Sequence, residues 1–198
     1  MGVFVRYLTS LDRCPSFDLL QAATPDCTLT TRADDGSLWE QLTLSFNDGR
    51  PITVVERTTD RDLLQEEIEE ISEDLESGRP KNAIPWLRSY LSGVRVIYAF
   101  QMLRESQTDE GFQRFDKLLG AFLQTTPGLI LDDYGISNEE GMDALWFHSG
   151  SPNGDPRWVA SLVDGNWKKW PLSQTDSKHK AAFRRGELPR ELREASDD

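Results

Sequence analysis

The tripeptide Asn47-Asp48-Gly49 lies between two runs rich in strand formers, LWEQLTLSF and PITVVER. Asn and Gly accept the positive φ that tight hairpin turns need, so the arrangement calls for an antiparallel pair of strands. In the first arm Leu42, Leu44 and Phe46 alternate with polar residues, which is the pattern of a sheet with one buried face. The rest of the chain then has to supply elements that cover that face.

Two segments have the periodicity to do so. Residues 59–78 predict a helix with Thr59 as its cap, Gly78 at its end, and Leu64, Ile68, Ile71 and Leu75 in one apolar stripe. TDEGFQRFDKLLGAFLQTT predicts a second, with Phe112, Phe115, Leu119 and Phe122 on one face. Shorter helices are expected at FDLLQAA, capped by Ser16, and at PWLRSYL, where Pro85 suits a first turn. VFVRYL, CTLTT and LILDD read as strands, and VRVIYAFQML as a buried strand or as the continuation of the PWLRSYL helix broken at Gly93. DALWFHS, RWVASLV and NWKKWPL read as a meander, with Asp164-Gly165 as its second turn. The expected fold is therefore α+β: antiparallel sheets with helices packed on one side, in two similar-sized lobes. The lobes are 1–79 and 80–190, divided at the connector RPKNAIP. A tail follows that forms one or two helical turns and frays over 191–198.

A chain of 198 residues can bury a core without a disulfide or metal. Its net charge of −12 disfavours nucleic acid and anionic membranes as partners, since both reward clustered Lys and Arg. No apolar run approaches the roughly 20 residues needed to span a bilayer. No export signal is read at the start, so a cytoplasmic protein is expected. The two Cys and two His have no zinc spacing. Cys14 and Cys27 are expected to be buried or half-buried thiols, and no cofactor is called for.

Four blocks, WLRSYLSGVRVIYAFQML, GISNEEG, WVASLVDGNWKKWPL and KAAFRRGELP, resemble in their order a bacterial family of unknown function. The resemblance spans mainly residues 80–190. It implies an intact, cytoplasmic bacterial domain and brings no catalytic residues with it.

The most chemically loaded stretch is LDDYGISNEEG, residues 131–141. Asp132, Asp133 and Tyr134 open it, and Glu139, Glu140 and Asp143 follow, with His148 beyond. No register matches a calcium loop, so the expected role is an acidic connection whose Asp and Asn residues bond turns and whose glycines supply positive φ. His148 is expected to pack on a strand, and His179, between two lysines, to be solvated. Four of the six Trp fall in the meander. Trp167 and Trp170, three apart, cannot share a strand face, so one should point outward beside Lys168 and Lys169 and could grip a partner. Hydrolase motifs are absent: there is no Gly-x-Ser-x-Gly elbow, His-Glu-x-x-His pair or phosphate-cradling loop. The sequence thus favours a non-catalytic protein-interaction module, binding a protein partner or itself. The alternative is a metal-assisted hydrolase using the loop 132–143 with His148. Residues 60–76 hold nine acids and one Arg, whereas 174–193 hold six Lys or Arg and three acids. The ordinary account is a solvated helix face and a loose basic tail; the sharper one lays the basic segment across the acidic helix, within one chain or between two.

Overall fold

The structure, a computed structural model, describes residues 3–33, 38–147 and 156–194. It is α+β, as the sequence predicts. The chain forms two compact units, Met1–Glu66 with Gly93–Asp133, and Glu67–Ser92 with Tyr134–Asp198. Each unit is built from two separated segments, whereas the sequence reading placed one boundary near residue 80. Strand pairing explains the difference.

In the first unit β1 (Val3–Thr9) pairs antiparallel with β5 (Val96–Met102) over seven positions, from Val3↔Met102 to Thr9↔Val96. The chain leaves this sheet through the acidic helix and then returns to its centre. Within this unit the strand order is β6-β1-β5-β4-β3-β2, with β2 at Cys27–Arg32, β3 at Gln41–Phe46, β4 at Pro51–Thr58 and β6 at Leu129–Asp132. All neighbours are antiparallel. The expected hairpin joins β3 to β4, with Gly49 at φ +88°.

Helices α1 (Phe17–Ala23) and α4 (Asp109–Thr125) lend Leu20, Phe115, Leu118, Leu119 and Phe122 to one core with Tyr7, Trp39, Tyr98 and Phe100. Phe122 meets Tyr7, Trp39, Tyr98 and Phe100 at edge-on angles, with centroids 5.0–6.2 Å apart. That spacing suits the ring quadrupoles. Ser16 and Thr108 cap the two helices by accepting from the Leu19 and Gly111 amides. Phe112, assigned to the buried stripe from sequence, sits in the first turn of α4 and is half exposed, while Leu118 is buried instead. Gly111 is required by close approach, since a Cβ there would lie 1.9 Å from the Glu105 carbonyl oxygen.

The acidic helix α2 spans Arg61–Asp74 and ends in a 3-10 turn at Leu75–Ser77. Its cap is Asp60 rather than Thr59: Oδ1 accepts from the amides of Asp62 and Leu63 at 3.0 and 3.2 Å. A carboxylate is the better acceptor at a positive helix end. α3 covers Ile84–Leu91.

In the second unit the strand order is β7-β8-β9-β10, with β7 at Gly135–Ser137, β8 at Asp143–Trp146, β9 at Arg157–Val163 and β10 at Asn166–Leu172. β7–β8 and β9–β10 are antiparallel, but β8 and β9 run parallel through Asp143↔Val159. The expected all-antiparallel meander is therefore corrected to a mixed arrangement. Parallel neighbours need a crossover, not a hairpin. Asp164-Gly165 does make the tight β9–β10 turn, at φ +50° and +76°.

The basic segment is more ordered than expected. α5 spans Ser177–Arg185, is capped by Asp176 and closes at Gly186 in the left-handed region. α6 follows at Arg190–Glu194. Phe183 seals a core of Trp146, Val159, Trp170 and Leu172, with Leu188 and Leu192 packed against it. Among the described residues no helix is long and apolar enough to cross a membrane.

Candidate functional site

The loop from 131 to 141 contains a strand that sequence patterning missed, β7. Beyond it Asn138, buried, organises the turn into β8. Its Oδ1 accepts from the amides of Glu140 and Met142 at 3.1 and 3.0 Å, while its own amide donates to the Met142 carbonyl at 2.8 Å. Gly141 takes φ +74°, as a turn glycine should. Gly135 has a different reason to be glycine: a Cβ would sit 1.9 Å from the Leu145 carbonyl oxygen of β8.

Asp143 carries the strongest polar contacts. Arg157 Nε and Nη2 donate to its two oxygens at 2.8 Å each, Trp146 Nε1 donates at 2.9 Å and Ser137 Oγ at 3.3 Å. Its side chain is only 8% exposed. The carboxylate thus ties β8 to β9 and is saturated with donors, an arrangement suited to holding structure. Asp133, Tyr134, Glu139 and Glu140 are exposed and Asp132 is half-buried. Glu140 reaches Lys169 at 3.5 Å. Among the described residues no group of three His, Cys, Asp or Glu side chains is placed to hold a metal ion. His148 lies outside the described residues.

The tryptophans divide by strand face. Trp170 points inward at 1% exposure and donates Nε1 to Ser161 Oγ at 3.0 Å. Trp167, on the opposite face, is half-buried edge-on to Trp86 of α3 at 5.0 Å, and Trp86 stacks on Tyr90. Neither is a free aromatic. The exposed one is Trp158 on β9, at 54%, directly across from Pro171. It shares its face with Lys169 and Trp167, while Lys168 is exposed on the face of Trp170. Sequence reasoning passed over Trp158 because RWVASLV is apolar at alternate and adjacent positions, leaving its inward face ambiguous.

His179 also departs from the sequence expectation. It is not solvated between its lysines but lies in a cavity of about 430 Å³ between α5 and α6. Nδ1 accepts from the Ser173 amide at 3.3 Å and Nε2 faces Glu191 at 2.7 Å, so in the neutral ring Nε2 carries the proton. The ring meets Trp170 edge-on at 5.6 Å. Asp176 is held below the usual carboxylate range, chiefly by the Lys178 amide. Glu191 is lowered by its own amide first and then by His179.

In the first unit Cys14 lines a cavity of about 560 Å³ with Trp39, Phe17 and Leu38. Burial pushes its thiol upward more than the Arg57 guanidinium draws it down. A thiol so placed is a poor nucleophile. Cys27 is buried and likewise raised by desolvation. No family model, curated protein or solved structure matches the chain.

Proposed function

We propose that the chain is a non-catalytic protein-interaction module of the bacterial cytoplasm, and that the β9–β10 surface is its contact face. The carrying observation is Trp158, more than half exposed beside Pro171. A large aromatic held in water by a rigid strand pair loses little entropy on binding, and Trp is the residue most enriched among interface anchors. β10 is a sheet edge among the described residues, yet Lys168, Lys169 and Pro171 guard it against indiscriminate strand addition. Recognition then falls to side chains on the face, with Trp158 as anchor and Lys169 as polar rim. The net charge of −12 argues for a protein partner over nucleic acid or an anionic membrane.

A photoactivatable side chain at Lys169 tests this in cells. The reading expects one dominant covalent protein adduct, lost when Trp158→Ala is added to the same chain. Equal adducts with and without Trp158, or none at all, would overturn it.

A further inference from the structure

Among the described residues, helix α2 is strongly acidic and the cavity between α5 and α6 is mainly basic, and their charges match. On α2, Asp62, Glu66, Glu70 and Glu73 are exposed at spacings of four, four and three. That spacing sets them on the helix face opposite Leu64, Ile68, Ile71 and Leu75. The cavity between α5 and α6 is lined by Lys178, Arg185, Arg190 and Arg193, against Asp176 and Glu191. Lys178, Arg185, Arg190 and Arg193 are all exposed, and Phe183 anchors their scaffold in the core. The groove is therefore a fixed basic surface on a protein whose net charge is −12.

We infer that this groove docks the α2 ridge of a second copy of the chain. The occupant is chosen by charge complementarity: residues 60–76 carry nine acids against one Arg, and 174–193 carry six bases against three acids. A helix of 14 residues is about 21 Å long, so the contact is small and belongs to the weak, transient class of interface. Exposed ion pairs add little individually, so the ridge must engage several bases at once. The copies also repel through their net charge. At about 0.1 M salt the screening length is near 10 Å, which removes most of the distant repulsion and leaves the contact pairs attracting. Salt near 0.5 M removes the pairs as well. This surface does not involve Trp158, so its failure and the failure of the β9–β10 reading are distinguishable.

The test is a titration of isotope-labelled chain with unlabelled chain at about 0.1 M salt, followed by amide chemical shifts. Concentration-dependent shifts are expected in residues 62–74 and 178–193 together, with a dissociation constant of about 0.1–1 mM, and they should vanish at about 0.5 M salt. Lys178→Glu with Arg193→Glu should abolish them, as should Glu70→Lys with Glu73→Lys. Mixing these two variants should restore binding, because each then offers the surface the other lacks. Both pairs of sites are exposed, and an unchanged circular dichroism spectrum confirms that the variants fold. Shifts independent of concentration, or a mixture that fails to associate, would overturn the inference.

Discussion

Asp143 and Arg157, fourteen residues apart, meet as a two-pronged ion pair, with Nε and Nη2 each 2.8 Å from a carboxylate oxygen. The pair spans the parallel step from β8 to β9, where a single register position joins the strands. Two tight charge-assisted bonds fix that step better than backbone pairing alone.

Replacing Asp143 by Asn should therefore destabilise the fold by about 2 to 4 kcal/mol, because a mostly buried arginine loses its counter-charge. Urea unfolding measures this. A loss below about 1 kcal/mol would mean that the pair is solvated and adds little.

Trp146 and Trp158 should behave as opposites. Trp146 is 1% exposed, lies 4.4 Å from the Phe183 ring centroid and donates to Asp143. Trp146→Ala should cost about 3 to 5 kcal/mol, the usual loss for a large aromatic removed from a packed interior. Trp158→Ala should cost less than about 1 kcal/mol, because its ring faces water. Parallel denaturation curves decide the matter, and equal losses would show that the assignment of strand faces is wrong.

Glu191 links α6 to His179 of α5 and its carboxyl is lowered in the fold, first by its own amide and then by His179. A depressed folded value means that its contribution is present above the unfolded value, about 4.3, and is lost as pH falls through the folded one. The stability advantage of the parent over Glu191→Gln should accordingly shrink on acidification from about pH 5 to about pH 3. Thermal unfolding at stepped pH checks this, and a constant difference across the range would count against it.

Asp133 is exposed at the head of the acidic loop. Asp133→Asn should leave the melting temperature the same in calcium, magnesium or EDTA. A metal-dependent rise of several degrees in the parent, absent from the variant, would reveal a site there, because a ligand that binds only the folded state must stabilise it.

What the sequence determined by itself is local. Asn47-Asp48-Gly49 and Asp164-Gly165 specify hairpins because few residues accept the backbone angles of those turns. The helices α2 and α4 follow from periodicity within a few turns, and the acidity of one and the basic charge of the C-terminal segment are plain in composition. The acidic loop's turn chemistry was legible in part, through Asn138 and Gly141. What only the tertiary structure decided is partnership across distance. Nothing near β1 says that it lies between β5 and β6, and nothing near β8 says that its neighbour β9 runs parallel. The same is true of Gly135 beneath Leu145, of Asp143 bound to Arg157, and of His179 drawn from solvent to Glu191. Strand registers of similar local quality compete, and the winner is set by which whole arrangement buries most apolar surface while leaving few buried polar groups unpaired. Trp158 shows the same limit at the candidate site. Its chemistry was visible in the sequence, but its exposure depended on which face of β9 met Phe183 and which met water.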